Sequence, residues 1–168
     1  MYISIFKLPD SARVWLYQAE RQLTATEVAV AESHLRAFCE TWVAHGQPLR
    51  VSFAVVRNRF LLLAADEAAG APSGCSIDSS VQTLRELGAK LDVELLDKSR
   101  IAALSALSEV EEVSTFTRPE LRAAVAEGRL QPGTPVFDNT IGLLGAWRAA
   151  WPQPAAHTWL ARYFVREK

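Results

Sequence analysis

Long apolar runs, cysteine and an excess of either charge are all scarce in this 168-residue chain, and each scarcity closes a class of function. The longest unbroken apolar run, "FLLLAA" at residues 60–65, falls far short of the roughly 20 residues that cross a bilayer. The opening "MYISIFKLPD" lacks the basic head and apolar stretch of a secretion signal. Lys and Arg number 18 against 19 Asp and Glu, a formal net charge of −1, so the basic excess that phosphate backbones require is missing. Neither a membrane nor a nucleic acid is therefore expected as a partner. Two cysteines, Cys39 and Cys75, cannot make a disulfide framework, and the expected home is a reducing cytoplasm. Neither has a second Cys or a His at zinc-ligand spacing, so no metal is expected, and no cofactor either. No glycine precedes a lysine anywhere, which removes the phosphate-cradling P-loop "GxxxxGK[ST]".

What is present reads as alternating strands and helices. "ARVWLYQ" (residues 12–18) alternates and is rich in aromatic and β-branched residues, as a strand is. "TATE" at residues 24–27 is a capping box, followed by one apolar helix face through Val28, Ala31, Leu35, Phe38, Cys39 and Trp42, with Gly46 as its stop. "LRVSFAVVR" and "RFLLLAAD" form a hairpin about Asn58. After "SGCSIDSS" (residues 73–80), Ile77, Val81, Leu84 and Leu91 mark a second helix, and "LDVELLD" alternates as a fourth strand. The order β-α-β-β-α-β predicts an α/β (α+β) ferredoxin-like sandwich over residues 1–108. A small aromatic-rich α+β subdomain over residues 109–168 would pack on it. There Thr117 and Glu120 form a second capping box, Phe116 can staple onto Leu121, and Gly128 ends a helix. "PVFD" reads as a strand, "IGLLGAWRAAW" as a further helix and the aromatic tail as a closing strand.

That connectivity sends five segments to one end of the sheet: Asp10 to Arg13, His45, Asp66, Ser73 to Ser80, and Asp97 to Arg100. A helix N-terminus carries unsatisfied amides and partial positive charge, which favour an anion or a thiolate. Cys75 would then be a nucleophile, His45 its base, and Asp66, Asp78 or Asp97 the group orienting the imidazole. Ser11, Arg13, Ser73, Gly74, Ser76, Asp78 and Asp97 would bind a small polar or anionic ligand, with Arg13 or Arg100 holding it in bidentate fashion. The plainer reading stands beside this one. Ser76 or Asp78 caps the helix, Cys75 fills space, and His45 complements a helix C-terminus. Arg13, Trp15 and Tyr17 share one strand face, which resembles the base-stacking surface of RNA-binding sheets. The acidic balance argues against that use.

The segments "SARVW-Y" (residues 11–17), "W-AHG" (42–46), "SGCSIDSS" and the "LLD" before Lys98 resemble a bacterial protein family of no established activity. So do "TPVF-N" and "H-W-AR" in the last third. Its members often carry the label ABC transporter ATPase, a label at odds with the missing P-loop. The resemblance implies Ser11, Arg13, His45, Gly46, Ser73, Gly74, Cys75, Ser76 and Asp78 as signature positions, and departs at "DKSR" (97–100), where the pattern is "DR". Residues 116–138 also resemble GYF-related peptide-binding modules. Two functions follow as expectations. One is a ligand pocket centred on Cys75 and His45, with or without thiol chemistry. The alternative is a non-catalytic adaptor gripping a protein partner through the aromatic C-terminal module.

Overall fold

The structure, a computed structural model, describes residues 1–105 and 112–165. The chain is mixed α/β and divides into two compact units, Met1–Asp97 with Asn139–Trp147, and Lys98–Asp138 with Arg148–Lys168. The expected break after residue 108 lies outside the described residues. The units part earlier, at Asp97, and a later segment returns to the first unit.

The first unit contains β1 (Arg13–Gln18), α1 (Ala25–Thr41), β2 (Val43–Ala44), β3 (Gln47–Pro48), β4 (Val51–Val56), β5 (Phe60–Ala65) and α2 (Gly74–Leu91). The capping box forms as read: the Thr24 hydroxyl accepts from the Glu27 amide at 3.2 Å, and the Glu27 carboxylate accepts from the Thr24 amide at 2.7 Å. β4 and β5 are joined through Arg57 and Asn58, both at φ +52°. The sheet order is β1-β5-β4, antiparallel throughout. Tyr17, Phe53, Leu61, Leu63 and Ala65 form one core with Leu35 and Cys39 of α1 and Leu84, Leu87 and Leu91 of α2, with Trp15 packed against it. The Trp15/Tyr17 face is therefore covered by the helices and offers no stacking surface to RNA.

The expected fourth strand is absent: residues 93–97 join no sheet. Leu91, Val93 and Leu95 are buried, so the alternation reported burial faithfully. Their backbone is held by other means. Asp92 takes a left-handed conformation (φ +51°) and the Val93 amide returns to the Gly88 carbonyl at 3.0 Å, a Schellman-type end to α2. The Glu94 amide donates to the Glu20 carboxylate at 3.2 Å, and the Leu96 amide to the Glu94 carboxylate at 2.6 Å. Acidic side chains thus take donors that a ladder would need. The free edge of β1 goes instead to residues 142–144: the Val14 amide donates to the Gly142 carbonyl at 3.0 Å, and the Leu144 amide to the Ala12 carbonyl at 2.8 Å. On the other edge, Ile3 donates to the Val51 carbonyl at 2.9 Å. Covered edges protect a small sheet from pairing with other chains.

Three local readings are corrected. Gly46 does not stop α1, which ends at Thr41; it shares with His45 the two-residue turn of the β2–β3 hairpin, at φ +75° and +51°. The buried face of α2 runs through Ser76, Ser80, Thr83, Leu84, Leu87, Gly88 and Leu91, while Ile77 and Val81 sit half-buried at its margin. The predicted helix over residues 141–151 contracts to α4 (Leu144–Ala149), because residues 142–144 are spent on the edge of β1.

The second unit holds β6 (Arg100–Leu104), β7 (Val113–Thr117), α3 (Leu121–Ala126), β8 (Pro135–Phe137) and β9 (Gln153–Pro154), with sheet order β7-β6-β8-β9. Strands β6 and β7 have no counterpart in the sequence reading. The Glu120 carboxylate accepts from both the amide and the hydroxyl of Thr117, at 2.7 and 2.8 Å, fixing the entry to α3. Phe116, Leu121, Ala124, Leu130, Val136 and Leu160 form its core. The tail is not a closing strand: after β9 it coils into 3-10 turns at Ala155–His157 and Trp159–Tyr163, the second capped by the Thr158 hydroxyl on the Leu160 amide. Among the described residues, no helix is long and apolar enough to cross a membrane.

Candidate functional site

The loop after α1 and the loop before α2 meet at one end of the first unit. Their link is Trp42, which is 2% exposed and whose indole N–H donates to the Ser76 carbonyl at 2.8 Å. From Trp42 a chain of ring contacts runs to the start of β1. Trp15 lies 5.9 Å away, and the Arg13 guanidinium sits 5.0 Å from the Trp15 ring centre. Phe38 packs on the other neighbour, 4.9 Å from Trp42. Arg13, the His45 hairpin and the first turn of α2 are therefore held to one pole by packed aromatics, as the connectivity predicted.

The first turn of α2 settles its own cap. Ser73 is the N-cap, accepting from the Ser76 amide at 3.3 Å, while its carbonyl accepts from the Ile77 amide at 3.0 Å. Ser76 is buried and donates its hydroxyl to the Ser73 carbonyl at 2.8 Å. That leaves the amides of Gly74 and Cys75 as the turn's two donors without a protein acceptor among the described residues. Cys75 is exposed and free, and a Cβ built on Gly74 meets open space. Cys39 contrasts with it: burial in the α1 core pushes that thiol up to about 12.

Asp66 is committed elsewhere. It is 4% exposed, with one carboxylate oxygen 3.1 Å from Arg50 and the other accepting from the Ala68 amide at 3.1 Å. Its amide in turn donates to the Arg50 carbonyl at 2.9 Å. The carboxylate so tied locks the end of β5 to the start of β4 and does not face an imidazole. His45, on an exposed hairpin tip, makes no hydrogen bond or ion pair among the described residues. Ser11 and Asp78 are exposed, and Arg13 shares its charge with Glu67 at 3.3 Å.

Asp97 does not reach the pole. Glu94 is pinned beside Glu20, whose amide donates to the Glu94 carbonyl at 3.1 Å, at the far end of β1 from Arg13. Three residues reach about 10 Å at most, whereas the seven from Glu20 back to Arg13 span about 23 Å. Residues that sequence reasoning passed over are Trp42, treated as core, and Arg50, the partner of Asp66; Glu67 is expected at this end, but not as the partner of Arg13. The only prior signal was the pairing of β1 and β4 on either side of β5, which puts Arg13 and Val51 opposite Ala65.

Behind the pole, His34 joins the helices through the Thr83 carbonyl and hydroxyl, at 3.1 and 3.0 Å. Tyr17 lies beneath α2, where burial pushes its phenol above the ordinary value despite a hydrogen bond with Ser80. In the second unit, Trp151 donates to the Asp138 carbonyl at 3.2 Å and meets Phe137 edge-on at 4.9 Å, a packing role. Among the described residues, no group of three or more His, Cys, Asp and Glu is arranged to hold a metal ion. No family model matches the chain, and no curated protein or solved structure matches it either.

Proposed function

We propose that the Trp42 pole of the first unit binds a small polar or anionic group, with Cys75 as an accessible thiol at its edge. The observation that carries this reading is the pair of unclaimed amides, Gly74 and Cys75, at the start of an 18-residue helix. Such donors, with the partial positive charge of the helix end, favour negative charge. Arg13 adds a cation tied to the same pole through Trp15 and Trp42, and Ser11 adds an exposed hydroxyl near the start of β1. His45 supplies a titratable group on a hairpin anchored by the same tryptophan. Asp66 is left out of the chemistry, because both its oxygens are occupied.

The reading of the first unit as ferredoxin-like is supported by the order β1-β5-β4 with both helices on one face, residues 142–144 standing where a fourth strand would be. A reducing compartment such as the cytoplasm suits an exposed free thiol. Membership of the bacterial family that "SARVW-Y", "W-AHG" and "SGCSIDSS" resemble is part of the proposal, and those signatures fall on this pole.

Alkylation with iodoacetamide tests the site, with buried Cys39 as a silent internal control. Cys75 is expected to react faster than glutathione near neutral pH, to slow when His45→Ala is introduced, and to be protected by inorganic phosphate. A rate equal to that of glutathione, indifferent to His45→Ala and to phosphate, would overturn the reading.

A further inference from the structure

The second unit carries charge of the opposite sign to the first. It has nine Lys and Arg against seven Asp and Glu, whereas the first unit has nine against twelve. Three of its arginines gather at one place. The capped turn Arg118–Glu120 leads into α3 and sets Arg118 and Arg122 one turn apart, while the 3-10 turn Trp159–Tyr163 brings Arg162. The Arg118 guanidinium lies 5.4 Å from the Trp159 ring centre, and that of Arg162 lies 5.0 Å from Trp159 and 5.2 Å from Tyr163. Trp159 and Tyr163 meet edge-on at 6.2 Å. Arg122, Arg162, Tyr163 and the exposed Val165 line a cavity of about 640 Å³.

These arginines lack what four others have. Arg13, Arg21, Arg50 and Arg129 each hold a carboxylate within 3.3 Å. Among the described residues, Arg118, Arg122 and Arg162 hold none, and all three are exposed. A guanidinium stacked on an aromatic ring keeps its in-plane N–H groups free and pre-oriented, the fork that fits a carboxylate in bidentate fashion.

We propose that this arginine-lined cavity docks an acidic peptide segment carrying at least two carboxylates and an apolar side chain. The cavity has the size of a site for an extended group rather than a single inorganic anion. Tyr163 and Val165 give it an apolar wall that a peptide side chain can cover. RNA is the poorer fit. The indole on which a base would stack already carries two guanidiniums, and the whole chain bears a net charge of −1. The site uses the second unit alone, so it stands or falls independently of the Trp42 pole.

Fluorescence anisotropy with the full chain and a labelled peptide of alternating Glu and Leu tests it. Arg122→Gln and Arg162→Gln, exposed cavity-lining positions whose folding circular dichroism checks, are each expected to weaken binding about tenfold, the scale of one charge-assisted contact. Arg162→Lys should recover only part of the loss, since an ammonium lacks the planar fork, and Cys75→Ser should bind as wild type. Three results would each overturn the proposal. They are equal binding of a Lys and Leu peptide, affinity unchanged by both glutamine substitutions, and tighter binding of a single-stranded RNA of matched charge.

Discussion

If the indole of Trp42 holds the two loops together, replacing it with a ring that cannot donate should loosen the start of α2 before anything else. Trp42→Phe keeps an aromatic in the contacts with Trp15 and Phe38 but removes the donor to the Ser76 carbonyl. That carbonyl retains the Ser79 hydroxyl at 2.7 Å, so it is not orphaned, and the lost hydrogen bond costs about 1 kcal/mol rather than the full penalty for a buried unpaired group. The smaller ring also leaves a void. At about 24 cal/mol per Å³, roughly 40 Å³ adds about 1 kcal/mol. The expected total is about 2 kcal/mol.

Native-state amide exchange reads this where it occurs, in the first turns of α2, without involving the second unit. Trp15→Phe is the matched control, because among the described residues its indole donates to nothing, so only the packing loss applies. Amides after residue 76 should exchange faster in Trp42→Phe than in Trp15→Phe by about fivefold, the equivalent of about 1 kcal/mol. Equal protection in the two variants would show that the indole–Ser76 bond does not couple the loops. The pole would then be held by packing alone.

Two further outcomes follow from single residues. A Cβ at Gly88 would stand 2.8 Å from the Val93 backbone carbonyl, which cannot move aside as a side chain could. Gly88→Ala should therefore destabilise by about 1 kcal/mol net: overpacking of about 2 kcal/mol, offset by about 1 from the better helix former. A urea midpoint at or above wild type would refute the close approach. The Arg21 guanidinium and the Thr24 amide hold the Glu27 carboxyl down at about 2, from an ordinary 4.5. A depressed carboxylate stabilises the fold above its unfolded value and loses that contribution as pH falls. Melting temperature should thus drop between about pH 4.5 and 2, and Glu27→Gln should start lower and flatten that limb. An identical acid limb in both proteins would refute it.

The N-terminal elements were legible because their signals are local. "TATE" specifies a helix start within four residues, and "FLLLAA" is buried along its whole length, as an apolar run at the centre of a sheet should be. Two misreadings share one cause: periodicity reports which side chains are buried, not what the backbone pairs with. Residues 91–95 alternate and are alternately buried, yet the amides of residues 93, 94 and 96 go to the end of α2, Glu20 and Glu94. Residues 142–144 read as helix but serve as an edge, a role set by an acceptor and a donor some 130 residues earlier, Ala12 and Val14. Among the site residues, Asp66 looked like an orienting carboxylate, and only the fold shows that Arg50 has claimed it.

The pattern of success and failure at the pole is itself informative. The convergence of Arg13, His45 and the Cys75 turn was deduced from the directions of β1, α1, the hairpin and α2, and each of those elements forms with the expected sense. Asp97 alone was placed there by a fourth strand descending beside β1. That strand does not form, and Asp97 is the one member stranded near the opposite end. Topology thus transmits errors only through the element that fails. Val93 and Leu95 still serve the core around Trp42, whereas Glu94 and Asp97 are exposed, and a chain in which either of these two is replaced should keep the Trp42–Ser76 link and the exposed first turn at Gly74 and Cys75.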